Sequence, residues 1–572
     1  MLGLQSQLLM KIHLKRESAR YAVVVLSAVY GLWLLSPGNV WPTSTGWLRW
    51  GDMEFAQYIW QYFRRTPILQ WPITAVPAYG EGWGTIFPNS GGIALVGIPL
   101  KLLSPILPSD FQFLGAWTLL CFVLQGWFAE RILAHFGLSP LERFLGAMSI
   151  VLAPIFVFRV GMTHLDLSAQ WVLLAAILLY FSDRKSRHLV RWLMLIVVSI
   201  SIQIYLFVMV LVVGLASVLR RNLFSGDQRS RMKAVSGTFA IILTGLTMWW
   251  ILGYSTYLGQ ARGVGFFRLN SASFVNPESG GNLSFSRLLS RAPIIGDRDW
   301  FAEESEGFGY LGLIGLFGIA AIAVDARYWR SKIRTGTNAP IISAAVVLAL
   351  TAMSNRVAFI RREFEIPVPS VLLEARQVFR VANRFSWLAY YLLLIVGWIA
   401  LARVARRVRL GPALLVLVLV TGAWDQWAGV SNIRTSIISS PVPPGRLDSS
   451  MWEQIGDSVT RLLLVPTFDV QDDSPMSSTE VWNREARWRR LVEFAVRHQL
   501  DTNFAYLGRP ATRQVLRSNA DLRDQIAEQR VLPNSLLVFA DRNEWANTTR
   551  ILGSHAASMK LDELYIIVTK GE

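Results

Sequence analysis

Two carboxylates stand where the first apolar segment of the chain has just ended, in the stretch Gly51 to Tyr58. Acidic groups near lipid are costly and tend to mark chemistry or ion handling. Asp52 is therefore a candidate general base, which would take a proton from an acceptor hydroxyl. It is equally a candidate helix cap, because Asp at a helix start accepts hydrogen bonds from free backbone N–H groups. For Glu54 we expect a capping or supporting role.

A second candidate group is the turn from Arg159 to Asp166, between two further apolar segments. Asp166 could hold a metal or orient an acceptor, or it could cap the helix that follows. His164 could bind a phosphate or a sugar hydroxyl, or it could be structural. Arg159 adds a guanidinium to the same turn.

Arginines are abundant in two later loops. Those at positions 376, 380 and 384 are spaced by four, which places them on one helical face. Guanidinium groups in a row bind phosphate through paired hydrogen bonds. The alternative is contact with lipid headgroups or pairing with glutamates 363, 365 and 374. The arginines of the two loops are Arg262, Arg268, Arg287, Arg291 and Arg298, and then Arg361, Arg362, Arg376, Arg380 and Arg384.

The stretch Glu306 to Gly312 precedes a further apolar run. Its glycines favour close helix packing, and Glu306 is alternatively an anchor for an arginine.

The elements that must position these groups are membrane helices. The chain has 572 residues, 52% of them hydrophobic and 17% charged, which is typical of a polytopic membrane protein. We predict about eleven transmembrane helices. They lie near 21–36, 111–133, 141–159, 166–182, 189–204, 205–221, 235–254, 307–325, 340–354, 383–402 and 412–428.

The net charge of +17 comes from short basic clusters between the apolar runs. This distribution is typical of cytoplasmic loops and, without a recognition motif, gives no indication of nucleic-acid binding. With a cytoplasmic N-terminus, the clusters fall inside only if the Pro-containing segment 92–106 does not cross. We therefore expect that segment to be re-entrant or interfacial. Asp52, Asp166, the arginine loops and everything after residue 430 then lie outside.

The chain divides into a transmembrane domain, 1–430, with a large first outer loop, 37–108, and a C-terminal extracytoplasmic domain, 431–572. In the latter, apolar runs at 461–466, 536–539 and 564–568 predict buried strands. They alternate with helical patterns at 482–499, 519–530 and 543–553, which predicts a small α/β domain. The one cysteine, Cys121, excludes an intramolecular disulfide and a thiolate metal cluster.

The layout over residues 20–430 resembles the GT-C superfamily of membrane glycosyltransferases, which use polyprenyl-phosphate sugars. The resemblance rests on Gly51-Asp52 after the first span, the turn at Asp166 and the charged outer loop before the eighth span. His164 with Leu167, the 306–312 stretch and Phe379-Arg380 with Arg384-Phe385 and Trp387 look like a bacterial branch of that superfamily.

The resemblance implies that Asp52 is the base and that outer arginines hold the lipid phosphate. The candidates for phosphate binding are Arg380 and Arg384, with Arg376, Arg268 and Arg159. The first loop has a single Asp in its motif rather than an acidic pair, Glu54 being offset, so we expect neither a metal nor another cofactor.

We therefore expect an inverting glycosyltransferase of the bacterial cytoplasmic membrane, with a polyprenyl-phosphate sugar as donor and a cell-envelope glycan or lipid-linked saccharide as acceptor. The alternatives are a lipid or glycolipid transporter or flippase, and a non-catalytic envelope-assembly protein. A transporter would need ionisable residues deep inside the spans and an internal repeat.

Overall fold

The apolar runs identified in the sequence form helices, and the C-terminal runs form a sheet. The computed structural model describes residues 2–82, 84–182, 188–223, 228–256, 267–278, 283–289, 305–334, 336, 338–360, 362–369, 377–379, 381–439, 447–467, 487–506, 512–530 and 533–569. These residues belong to two compact units, and each unit contains segments that are distant in the chain.

The first unit comprises Met1–Trp47, Asp110–Met248 and Gly263–Ser439. A two-stranded antiparallel sheet, β1 (Arg356–Phe359) with β2 (Arg362–Glu365), accompanies its helices. The helices are α1 (Leu2–Leu35), α4 (Leu114–His135), α5 (Pro140–Val151), α6 (Pro154–Gly161), α7 (Trp171–Phe181), α8 (His188–Ile200), α9 (Ile204–Leu223), α10 (Gln228–Ile251), α11 (Gly312–Val324), α12 (Ala326–Arg334), α13 (Ala339–Met353), α14 (Trp387–Ala405) and α15 (Gly411–Ser439).

Among the described residues, six helices are long and apolar enough to cross a membrane, or seven if the bent pair α11 and α12 forms one span. The six are Glu17–Leu35, Pro140–Gly161, Ile204–Arg221, Arg231–Ile251, Ala382–Ala405 and Gly411–Ser439. Helices α7, α8 and α13 have 11, 13 and 15 residues. They are shorter than the roughly 20 residues that cross a hydrocarbon core. The predicted total of about eleven thus stays a prediction.

The prediction of a break between the two helices of the 189–221 region is confirmed. Helix α8 ends at Ile200 and α9 begins at Ile204. Segment 92–106 contains one nine-residue helix, α3 (Ala94–Leu102). At 1.5 Å per residue it is too short to cross a membrane, in agreement with an interfacial or re-entrant piece.

Close helix packing in the first unit depends on glycine where α11 meets α14. A Cβ built on Gly318 would lie 2.8 Å from the Cα of Gly397, so the two backbones touch at this crossing. Around it lies an apolar core that includes Leu145, Ile314 and Trp398. The packing brings the helix ends that carry the polar groups to fixed positions.

The second unit comprises Leu48–Ser109, Trp249–Arg262 and Ser440–Glu572. Its helices are α2 (Asp52–Phe63), α3, α16 (Met451–Ser458), α17 (Arg487–Arg497), α18 (Thr512–Ala527) and α19 (Arg542–Leu552). Its strands are β3 (Arg461–Val465), β4 (Asp501–Thr502), β5 (Ser535–Phe539), β6 (Ala556–Leu561) and β7 (Leu564–Thr569).

The five strands form one sheet in the order β4-β3-β5-β7-β6. Strand β3 runs parallel to β4 and β5, and β7 runs antiparallel to β5 and β6. Strands β3 and β5 are almost wholly buried, as expected for strands covered on both faces. The predicted α/β fold of the C-terminal region is confirmed.

The units divide the chain differently from the predicted domains 1–430 and 431–572. Most of the first outer loop belongs to the second unit, because its aromatic side chains pack there. Phe55 stacks on Trp488 and Tyr506, with ring centroids 5.4 and 4.0 Å apart. The backbone N–H groups of Gly80 and Glu81 donate to the carbonyl of Thr502. The loop is therefore an integral part of the α/β unit.

Candidate functional site

A buried cluster of charged side chains in the first unit centres on Glu306. Arg159 lies in the last turn of α6, and Glu306 lies in the 3-10 turn Ser305–Gly307. Arg384 lies in a second 3-10 turn, Ala382–Ser386, which leads into α14. Both guanidinium groups reach the same carboxylate oxygen, Glu306 Oε2, at 2.6 Å from Arg159 Nη1 and 3.0 Å from Arg384 Nη2. Arg159 Nη2 also donates to the Glu306 backbone carbonyl.

His164 lies on the other side of the same carboxylate. Its Nε2 is 3.7 Å from Glu306 Oε1, and its Nδ1 is 3.5 Å from Arg159 Nη1. The predicted Arg159–Asp166 turn thus brings its histidine and its arginine to one acidic residue. Of the two alternatives for Glu306, the structure supports the anchor for arginines.

Aromatic rings surround the two guanidinium groups. Arg159 is fully buried and lies over Phe158 and Trp387, at 5.2 and 5.4 Å from the ring centroids. Arg384 is 8% exposed and lies 4.9 Å from the centroid of Tyr205. Such cation–π contacts stabilise cations most when water is excluded. The rings therefore help to keep both charges in a site of low polarity.

Electrostatics keep Glu306 ionised. Burial opposes ionisation, but the charges of Arg159, Arg384 and His164 hold the pKa of Glu306 well below its usual range. The Asp166 carboxylate interacts electrostatically with both arginines and accepts a hydrogen bond from Leu167 N at 2.8 Å. It does not cap α7, whose N-cap is Gln170.

The cluster retains unused hydrogen-bonding groups among the described residues. The Nε atoms of Arg159 and Arg384 are buried without a hydrogen-bond partner there, as are both amide atoms of Asn383. Asn383 is 1% exposed and lies beside Gly307. A Cβ built on Gly307 would come 2.7 Å from the carbonyl oxygen of Arg268, so this position has room only for glycine. Unused buried donors are costly, and they suit a site that receives an anion.

Among the other predicted phosphate ligands, the structure describes Arg268, whose guanidinium binds a different carboxylate. Arg268 pairs with Glu363 at 2.8 Å, and Arg356 binds the same carboxylate at 2.6 Å. For Arg268 the alternative of pairing with an acidic residue is thus the one observed. Arg376 and Arg380 lie outside the described residues.

Asp52, in the second unit, is the first residue of α2 rather than its N-cap. The N-cap is Gly51, whose φ of 63° favours glycine. The Asp52 side chain accepts a hydrogen bond from the hydroxyl of Tyr506 at 3.2 Å. Tyr506 follows β4, and its N–H donates to the hydroxyl of Tyr79 at 3.1 Å. The carboxylate of Asp52 is half-buried, and it is bound by a tyrosine from the C-terminal region.

Glu54 is the more buried of the two acids in this helix, at 1% exposure. It accepts hydrogen bonds from the hydroxyl of Tyr58 at 2.8 Å and from Arg489 at 3.1 Å. Burial raises its pKa to about 7, against the lowering effects of Tyr58 and Arg489. A carboxyl group with that pKa exchanges protons near neutral pH. Its contacts fit a supporting role, in which it fixes α2 against α17.

Asp425 is an acidic residue whose role the sequence analysis did not identify. It lies 1% exposed within the candidate span α15. Its Oδ1 accepts hydrogen bonds from Ser286 Oγ, Arg287 N and Leu288 N at 2.9, 3.0 and 3.0 Å. An acid inside an apolar span is itself a signal of a specific partner, and this signal was present in the sequence. Asp425 holds loop 284–289 on the helix.

Among the residues that the structure describes, no group of three or more His, Cys, Asp or Glu side chains is placed to hold a metal ion.

Two family models match the chain. A model described as a domain of unknown function, DUF6311, matches residues 24–427, and the DUF6311 C-terminal domain matches residues 451–569. The first covers the apolar helices and the second covers the C-terminal sheet. No curated protein matches the chain.

Proposed function

The chain belongs to the DUF6311 family, and we propose that it is an inverting, membrane-embedded glycosyltransferase. In this proposal a sugar moves from a polyprenyl-phosphate donor to a cell-envelope glycan or lipid-linked acceptor. The reaction takes place on the outer face of a bacterial cytoplasmic membrane. The protein is oriented with its N-terminus in the cytoplasm and its C-terminal domain outside.

One observation carries the proposal: two buried guanidinium groups at the ends of candidate spans share one carboxylate oxygen. Charges buried in a membrane protein are expensive and mark functional sites by default. Guanidinium is the side-chain group best suited to a phosphate ester, because its donors match two phosphate oxygens. Arg384 keeps its Nε free of hydrogen bonds among the described residues, so a donor remains for a ligand.

The proposed reaction needs a base and a stabilised leaving group. Asp52 takes the proton of the acceptor hydroxyl while the acceptor oxygen attacks the anomeric carbon from the face opposite the phosphate. The bond from that carbon to the phosphate oxygen breaks, and the electron pair stays on the phosphate. Arg384 stabilises the charge that develops on the departing polyprenyl phosphate. Arg159, His164 and Asp166 orient Arg384, and Arg376 and Arg380 are further candidates.

The proposal is tested with purified protein in lipid vesicles. Radiolabelled polyprenyl-phosphate sugars are supplied with a membrane extract as the source of acceptor. We expect Asp52→Asn to lower the transfer rate by about 10²- to 10⁴-fold, the usual contribution of a general base. Binding of the donor should not change, because the proposed role of Asp52 concerns the acceptor. Asp110→Asn, at an exposed carboxylate, is the matched control and should keep full activity.

A second arm tests the phosphate site. Arg384→Lys keeps the charge but removes the paired donors, and we expect transfer to fall by roughly 10²-fold or more with weaker donor binding. Unchanged transfer by Asp52→Asn would remove Asp52 from its role. If the wild type moves a fluorescent glycolipid across the bilayer and transfers no sugar, the protein is a transporter. Donor binding with neither activity would favour an envelope-assembly protein.

A further inference from the structure

The second unit carries an exposed apolar surface formed by two neighbouring segments, 68–71 and 102–106, and by the end of helix α10. We call it the apolar rim, and its members are Ile68, Leu69, Trp71, Leu102, Ile106 and Trp250. Leu69 is 94% exposed and Ile106 is 80% exposed, and each of the others is more than half exposed. Exposed apolar patches of this kind mark contact with a partner or with a membrane.

Basic side chains join the two loops into one surface. Lys101 Nζ donates to Thr66 Oγ1 at 2.6 Å and to the carbonyl of Pro67 at 2.8 Å. The guanidinium of Arg64 donates to the carbonyls of Ser104, Leu107 and Pro108 at 3.2, 3.0 and 2.6 Å. The apolar side chains are therefore presented by loops that are already ordered.

The rim is attached to the end of a candidate span. Trp250 lies in the last turn of the helix that spans Arg231–Ile251, and its ring is 4.3 Å from that of Trp71. The loop is also hydrogen-bonded there, from Ile73 N to Ile251 O at 3.3 Å and from Thr74 Oγ1 to Leu252 O at 2.6 Å. The end of a span lies at the membrane interface, where Trp is enriched. The loop that is bound to it must lie at the same depth.

The charge of this segment fits a lipid surface. Residues 64–109 contain the partly exposed Arg64, the exposed Arg65, the buried Lys101 and a single acidic residue, Glu81. Basic groups next to an apolar surface are attracted to anionic headgroups, while the apolar side chains enter the acyl boundary. A partner protein would have to displace lipid headgroups in order to cover these side chains, so lipid is the favoured contact.

We propose that the apolar rim inserts into a phospholipid leaflet, with Leu69 and Ile106 as its deepest side chains. Insertion of this kind places side chains roughly 5–10 Å into the boundary between headgroups and acyl chains. It anchors helix α2, which carries Asp52, at a fixed height above the lipid. The inference does not depend on the proposed transfer reaction.

The test measures depth with a fluorescent label on single cysteines. Leu69→Cys and Ile106→Cys are made in a Cys121→Ala background and labelled with a nitrobenzoxadiazole. The proteins are reconstituted into phosphatidylcholine–phosphatidylglycerol vesicles. Leu516→Cys, at an exposed leucine of α18 in the same unit, is the matched control.

We expect lipids with a nitroxide near the headgroup to quench the labels at 69 and 106 and to leave the label at 516 unquenched. Aqueous iodide should quench the label at 516 several-fold more strongly than the other two. Strong iodide quenching at 69 and 106 would overturn the inference. So would protection from both quenchers, which would indicate that a second copy of the chain covers the rim.

Discussion

Replacing Glu306 by Gln removes a negative charge that contacts both Arg159 and Arg384. Contacts of 2.6 and 3.0 Å correspond to attractions of roughly 6 kcal/mol each at an effective dielectric constant of about 20. The cost of burying the ions offsets much of that attraction. Removing one partner of a buried ion pair nevertheless costs about 3–5 kcal/mol, because the other charge stays buried and unpaired. Here two guanidinium groups are left to repel each other, so we expect the upper part of that range.

The single cysteine provides the assay. Cys121 is fully buried in α4, in the same unit as the cluster. The rate at which a thiol-reactive dye labels Cys121 in detergent therefore reports unfolding of that unit. The denaturant concentration is chosen so that the thiol becomes exposed only when the unit unfolds. When opening and closing are fast, the labelling rate follows the open population. A loss of 3–5 kcal/mol raises that rate by roughly 10²-fold to 4 × 10³-fold, at tenfold for each 1.4 kcal/mol.

The pH dependence has a definite sign. Because the pKa of Glu306 is held well below its ordinary value, its stabilisation is complete above about pH 4.3 and is lost as the pH falls through the lowered pKa. The wild type should remain more stable than Glu306→Gln throughout the range from pH 8 to 5. Glu17→Gln is the control, since Glu17 lies in the same unit as Cys121 and pairs with Arg20 at 2.9 Å with both side chains partly exposed. Its cost should stay below about 1 kcal/mol. Equal labelling rates for the two variants would refute the reasoning.

Two further predictions concern other buried acids. Because burial raises the pKa of Glu54 from 4.5 to about 7, its contribution to stability is greatest below pH 4.5 and is lost as the pH rises through 7. As the pH rises from 4.5 to 8, the free energy of unfolding of Glu54→Gln should therefore increase by up to about 3 kcal/mol relative to that of the wild type. A difference in melting temperature between the two proteins that does not vary with pH would contradict this. Asp425→Ala leaves three donors of loop 284–289 without their acceptor. We expect amide exchange in that loop to quicken roughly tenfold or more, and unchanged exchange by mass spectrometry would oppose it.

Local pattern was enough to predict most secondary structure. The apolar runs at 461–466 and 564–568 have the length and apolar content of buried strands, and both are strands. The predicted helices 189–204 and 205–221 are separate in the structure, where the break lies at residues 201–203. Such features depend on residues only a few positions apart.

The partners of the acids could not be predicted, because they are far apart in the chain. Asp52 and Tyr506 are separated by 454 positions, and Glu54 and Arg489 by 435. Nothing in the sequence of the first outer loop identifies the distant residues on which its aromatic side chains, such as Phe55, pack. The sequence suggested that Glu306 anchors an arginine, and only the fold identifies Arg159, 147 positions away, as one of the two that it binds.

The two arginines of the Glu306 cluster differ in their contacts and therefore in the role that each can perform. Arg159 is fully buried and uses both Nη atoms on Glu306, one on the carboxylate and one on the backbone carbonyl. Arg384 makes one of the hydrogen bonds to that carboxylate and retains slight exposure. A phosphate can therefore gain donors from Arg384 without displacing Glu306, whereas Arg159 is fully buried and has only its Nε left to offer. We accordingly expect Arg384 to contact an anionic ligand and Arg159 to position it. Substitution of Arg384 should then weaken donor binding more, and substitution of Arg159 should destabilise the unit more.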